Sequence, residues 1–176
     1  MNAEPAPSPT RPLESYLEAI ESLLKELIRT GRFELKVAIH KTASAEDDVE
    51  AHEYIVDLSG PDSDLLLEKH ATLLEAFEHT VLKAVRLPED HFGKISVDCQ
   101  DWRRLRAEEL KLTAQVAAER VIETGDPFTL SPMNPRERRI IHLALRDQSQ
   151  VRTASEGFGL ERKVVIRPAA PPPRRP

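Results

Sequence analysis

Cysteine is almost missing from this sequence: Cys99 stands alone among 176 residues. One thiol excludes an intrachain disulfide framework and a cysteine-rich zinc site built within the chain. Cys99 itself falls in an apolar strand pattern, which predicts a buried structural thiol. Long apolar runs are lacking as well. Stretches such as Leu65 to Leu67 fall far short of the roughly 20 residues needed to cross a bilayer, and the N-terminus shows no charged-then-apolar signal pattern. The expected address is therefore the cytoplasm. There is no phosphate-cradling glycine-rich loop, no Gly-x-Ser-x-Gly elbow and no His-Glu-x-x-His spacing. His52 beside Glu53, His70 with His79, and His91 show no tight metal-ligand spacing. Glu108 and Glu109 point in different helical directions, so they read as solvated surface and not as an acid-base pair. These absences argue against an enzyme and leave no cofactor or metal to expect.

Charge is present in quantity but unevenly placed. The formal net charge is -5, an unpromising figure for a protein that would grip a polyanion. By halves the picture changes. Residues 1–100 hold 10 Lys and Arg against 20 Asp and Glu, whereas residues 101–176 hold 15 against 10. An acidic first half followed by a basic second half predicts two modules with different tasks.

Met1 to Pro12 is rich in Pro, Ala and Ser and reads as a disordered lead, and residues 169–176 read as a Pro/Arg tail. In the tail, Pro171, Pro172 and Pro173 favour a polyproline II segment beside Arg174 and Arg175. Leu13, Leu17, Ile20, Leu24, Leu27 and Ile28 recur at helical spacing and predict an amphipathic helix ended by Thr30 and Gly31. Phe33, Leu35, Val37 and Ile39 alternate with charged residues, as a half-buried strand does. An acidic loop, Glu46 to Glu50, leads to a second strand at Tyr54 to Leu58, so a hairpin is expected. Asp62 to Val85 reads as helix with Leu66, Leu73, Leu74, Phe77, Val81 and Val85 inward, and Lys94 to Asp98 as a third strand.

From Asp101 a further helix is expected as far as Gly125, with Trp102, Leu105, Leu110, Ala114, Ala117, Ala118 and Val121 as its apolar side. Phe128 to Leu130 reads as a short strand. Asn134, Pro135 and Glu137 then supply a complete helix start: an N-cap, a proline at the first helical position and an acid at the third to close a capping box. That helix is expected to reach about Asp147. Val151 to Ser155 and Lys163 to Arg167 read as two closing strands around a turn at Gly157 to Gly159.

On the helix from Pro135, Ile140, Ile141, Ala144 and Leu145 fall on one arc that should face a sheet. Arg138 and His142 lie beside it, about 40° apart and one turn along the axis, with Arg139 and Arg146 on the same side. A guanidinium forks hydrogen bonds to phosphate or stacks on a base, and an imidazole adds a hydrogen bond and a flat face. Arg152, Arg162 and Lys163, on or beside the closing strands, extend the candidate basic surface if the strands flank the helix. By residue pattern alone, a basic helix face is also an ordinary solvated surface and a histidine beside an apolar arc an ordinary structural one.

The stretch Asn134-Pro-Arg-Glu-Arg-Arg-Ile-Ile-His-Leu-Ala-Leu-Arg146, with Val151-Arg-Thr-Ala-Ser-Glu-Gly157 and Val164-Val-Ile-Arg-Pro168, resembles the R-3-H domain of bacterial Jag-type proteins. The domain is named for an Arg-x-x-x-His motif, matched here by Arg138 and His142, and the resemblance implies binding of single-stranded nucleic acid. Jag-type proteins carry a KH-like domain before it, and the order helix, strand, strand, helix pair, strand fits a KH fold of type II topology. The Gly-x-x-Gly loop expected between the two central helices is absent, with Glu68-Lys-His-Ala71 in its place. An acid there and an acidic surround repel phosphate, so this half reads as a scaffold or protein-partner surface.

The expected fold class is α+β. A KH-like domain of type II order, residues 13–100, precedes a small R-3-H domain, residues 101–168, whose three-stranded sheet packs on helices. The expected function is non-catalytic binding of single-stranded RNA or DNA, RNA being favoured by the resemblance, with regulation of RNA as its setting. The alternative is a protein-interaction adaptor that uses the acidic half. Neither reading requires a membrane or a small-molecule substrate.

Overall fold

Residues 11–42 and 52–169 are described by the structure, a computed structural model, and they form four α-helices and two three-stranded sheets in a mixed α+β arrangement. The acidic loop expected at Glu46 to Glu50, nearly all of the lead and nearly all of the Pro/Arg tail lie outside the described residues. The chain divides after Trp102 into two compact units.

In the first unit, α1 (Glu14–Gly31) buries Ile20, Leu24 and Ile28 on the face set by its apolar spacing. It stops where Arg32 turns left-handed at φ 58°. Strands β1 (Lys36–Lys41) and β2 (Tyr54–Ser59) pair antiparallel, with Lys36 opposite Ser59 and Lys41 opposite Tyr54. The turn out of β2 needs Gly60, because a Cβ there would sit 2.2 Å from the Glu34 carbonyl oxygen. Helix α2 (Ser63–Ala84) follows, and β3 (Ile95–Asp98) then joins β2 in parallel, giving the order β1-β2-β3. β3 is buried along its whole length. Its outer edge is blunted by Glu78 of α2, whose carboxylate accepts from the Val97 amide at 2.7 Å. Leu24, Val56, Leu58, Leu66, Leu74 and Val97 meet at the centre of one apolar core. Cys99 closes that core, and burial pushes its thiol pKa up.

The apolar period that predicts one helix over residues 62–85 conceals a break. Glu68 is extended, and Lys69, His70 and Ala71 follow in the left-handed region at φ 50°, 59° and 59°. Two helical stretches therefore meet at a tight four-residue turn. The Thr72 hydroxyl helps hold it by donating to the Lys69 carbonyl at 2.7 Å. Left-handed backbone is disfavoured for residues with a Cβ, yet none of these three positions is glycine.

The second unit begins at Arg103, within α3 (Trp102–Thr124), which buries Leu110, Ala114, Ala117, Ala118 and Val121. Leu105, expected on that inner side, is half exposed and lies with exposed Leu112 and Val116 on the opposite side of the helix. Strands β4 (Phe128–Thr129), β5 (Val151–Glu156) and β6 (Lys163–Pro168) form an antiparallel sheet in the order β4-β6-β5. Central β6 buries Val164, Val165 and Ile166. Helix α4 (Pro135–Ala144) lies against β5 and β6, burying Ile140 and Ile141 with Leu145 just beyond its end, and it stops three residues short of the expected Asp147. Among the described residues no helix is long and apolar enough to cross a membrane.

Candidate nucleic-acid interface

The start of α4 is fixed by its own sequence. The Asn134 side chain accepts from the Glu137 amide at 2.8 Å, and the Glu137 carboxylate accepts from the Asn134 amide at 3.2 Å, so both halves of the capping box are made. Pro135 occupies the first turn, where a missing N–H costs nothing. The second carboxylate oxygen of Glu137 accepts from Arg106 Nε of α3 at 2.7 Å, in a pair whose side chains are only 16% and 13% exposed. Arg106 also donates to Glu109 at 2.8 Å. Desolvation pulls the Arg106 pKa down, but its bonds to Glu137 and Glu109 outweigh that and leave it raised. The acid in the first turn of α4 is thus neutralised from α3.

Arg138 is half-buried, and its Nε is fully enclosed with no hydrogen-bond partner among the described residues. No carboxylate lies within ion-pair distance of its guanidinium there. One turn on, His142 reaches β5. Its Nδ1 lies 2.6 Å from the Thr153 hydroxyl and its Nε2 2.9 Å from the Ser155 hydroxyl. A neutral imidazole has one donor and one acceptor nitrogen, and each hydroxyl can take either role, so both bonds form in either tautomer. Burial, followed by the positive charge of Arg138, holds the His142 pKa below its ordinary value of 6.5. The ring is therefore neutral at physiological pH, and both of its nitrogens are engaged within the domain.

The remaining candidates separate by face. Arg139 and Arg146 are exposed on α4 and just beyond it. Arg146 lies 3.4 Å from Asp147, both well exposed, an arrangement that contributes little. Side chains alternate along β5, so Arg152 points away from the face that carries Thr153 and Ser155. Lys163 is opposite Glu156 in the register and Arg167 is opposite Arg152, and residues directly opposite share a face. Arg152 and Lys163 thus sit on the sheet face turned away from His142, where Arg167 is paired with Glu156 at 2.6 Å. Arg162 is exposed on the turn that enters β6.

The structure brings Arg138 and His142 together as the helical spacing requires, and adds partners the helix pattern did not reveal. Thr153 and Ser155 were readable as two hydroxyls on alternate strand positions, hence on one face. Arg106 carried no such signal, since its partner lies 31 residues away. Among the described residues no group of three or more His, Cys, Asp and Glu side chains could hold a metal ion.

Residues 108–168 match the family model of the R-3-H domain. The chain is 34% identical over 111 residues to the RNA-binding protein KhpB of Clostridium symbiosum, covering 63% of this chain and 50% of that one. It is 32% identical over 111 residues to KhpB of Bacillus subtilis (strain 168), covering 62% and 53%. Against KhpB of Lactiplantibacillus plantarum it is 34% identical over 106 residues, covering 58% of this chain and 32% of the relative. The chain thus spans about half the length, or less, of these curated relatives. Its basic second unit thus matches the R-3-H domain, with Arg138 and His142 at the Arg-x-x-x-His spacing, in a chain similar to the RNA-binding protein KhpB.

Proposed function

We propose that this chain binds single-stranded nucleic acid, RNA in preference to DNA, and catalyses no reaction on it. The observation that carries the reading is the guanidinium of Arg138, half-buried on a rigidly capped helix with no carboxylate within ion-pair distance among the described residues. Unpaired, partly desolvated arginine donors suit a phosphate or the edge of a splayed base. Arg139 adds exposed charge on the same helix. The names of the relatives, RNA-binding proteins, favour RNA.

In this reading His142 is a positioning residue. It ties α4 to the hydroxyls of β5 and leaves ligand contact to Arg138. Arg152 and Lys163, facing the other way, act only through the field of the whole unit.

The first unit supports a KH-like scaffold. Its order α1-β1-β2-α2-β3, with β2 and β3 parallel and α2 divided at residues 68–71, is compatible with the type II order expected from the resemblance. Glu68 and Ala71 stand where the two glycines of a phosphate-approaching loop would be, so this unit is assigned to scaffolding or to contact with a protein partner.

The test is equilibrium binding of the full chain to a short unstructured RNA. Binding should weaken as salt rises, and Arg138→Ala should cost tenfold or more, since a hydrogen bond to a charged group contributes about 1.5–3 kcal/mol. Equal binding by Arg138→Ala and the unaltered chain would remove the assignment.

A further inference from the structure

The turn between β5 and β6 carries two large apolar side chains in nearly full solvent: Phe158 is 93% exposed and Leu160 94% exposed. The two together form a small apolar tip at the end of the sheet. The turn is nonetheless an ordered piece of backbone. Gly157 takes φ 88°, and a Cβ there would come within 2.9 Å of the Glu161 carbonyl oxygen, so the two sides of the turn close tightly on a glycine. A short 3-10 turn at Gly159–Glu161 completes it, with the Glu161 amide donating to the Phe158 carbonyl at 3.2 Å and the Arg162 amide to Gly159 at 3.4 Å. The backbone of the turn is fixed by these bonds, and the ring of Phe158 stands out in solvent.

Its position decides what it can touch. Ser155, which bonds His142 of the signature pair, precedes Phe158 by three residues, a span of at most about 11 Å along the chain. Arg162 follows two residues after Leu160, exposed and without an ion pair among the described residues, beside exposed Glu161, while Lys163 lies on the rear face of the sheet. An aromatic face close to an arginine that has no ion pair among the described residues is a combination on which single-stranded nucleic acid is held, through stacking of bases and neutralisation of phosphates together. Through Ser155 the turn is tied to the Arg138 and His142 pair, and that pair points to a polyanion as the occupant.

Resting on the reading above, we infer that Phe158 is a base-stacking residue, with an unpaired base of the bound strand lying on its ring and Leu160 flanking the same base or its sugar. Stacking tolerates any base, so this tip adds affinity without sequence preference.

The test uses the full chain and two probes, a short labelled oligouridine and the same backbone with its bases removed. Because Phe158 is solvent-exposed, its replacement leaves folding intact. Phe158→Ala should weaken oligouridine binding about 5- to 100-fold and leave binding of the abasic strand unchanged. Phe158→Trp should keep the affinity, and its added indole emission should be quenched as the oligouridine binds. Equal oligouridine affinity for the unaltered chain and Phe158→Ala, or equal losses on both probes, overturns the stacking assignment while Arg138→Ala still reports on the interface. Loss of a bound protein with oligouridine binding intact marks a protein-docking tip and also overturns it. An unaltered chain that binds neither probe overturns this inference and the proposed function together.

Discussion

His142 is the residue at which geometry and titration meet. Both ring nitrogens are bonded to β5, and the folded chain resists its protonation because of burial and then Arg138. The unfolded chain has no such resistance and takes up a proton as pH falls past about 6.5. A group with a depressed folded pKa contributes stability that is intact above the unfolded value and lost as pH falls through the folded one. The unaltered chain should therefore lose stability on going from neutral to mildly acidic conditions in a way that His142→Gln does not. Urea unfolding midpoints of the two proteins should converge as pH falls from about 7.5 to about 5. A gap that is constant across that range would mean that the imidazole is no more protected in the folded chain than in the unfolded one.

Helix α4 shows how far local sequence can specify an element, and where it stops. The cap at Asn134, Pro135 and Glu137 is legible because every contact in it lies within three residues, and the inward arc at Ile140, Ile141 and Leu145 follows from the helical period. Asn134→Ala should lower stability by about 1 kcal/mol, the ordinary worth of a cap. Glu137→Ala should cost more, about 3 kcal/mol or above, because it also leaves Arg106 enclosed with one of its partners removed. Urea unfolding ranks the two, and the reverse order would show that the Arg106 contact contributes little. That contact was illegible because the partners of α3 are set by tertiary packing. The break in α2 is not readable from the apolar spacing, which continues through residues 68–71, but the resemblance puts a loop between two helices at Glu68 to Ala71, where the backbone does break. Leu105 is a different case. It stands about 140° from Leu110 around the helix, so the geometry of the sequence itself places it away from the inner face.

At the scale of the whole chain, the uneven charge seen in the sequence predicts a division of labour between two units, and salt dependence is the quantity that tests it. Each phosphate neutralised on a single strand contributes about -0.7 to the slope of log affinity against log salt. Arg138, Arg139 and Arg162 are cations of the second unit with no ion pair among the described residues that are free of the rear sheet face, whereas Arg146 and Arg167 already have acidic neighbours. Three such contacts give a slope of about -2, and Arg138→Ala should make it shallower by about 0.7. Replacing both Arg152 and Lys163 by alanine should leave it nearly unchanged, because those side chains face away from the signature pair. Lys69 and His70, exposed on the turn of the first unit, stand beside Glu68. If that unit is a scaffold, Lys69→Ala also leaves the slope alone. A slope of about -4 or steeper, falling when Lys69 is removed, would place phosphates on the first unit as well, and the scaffold reading would give way to a binding surface shared by both halves.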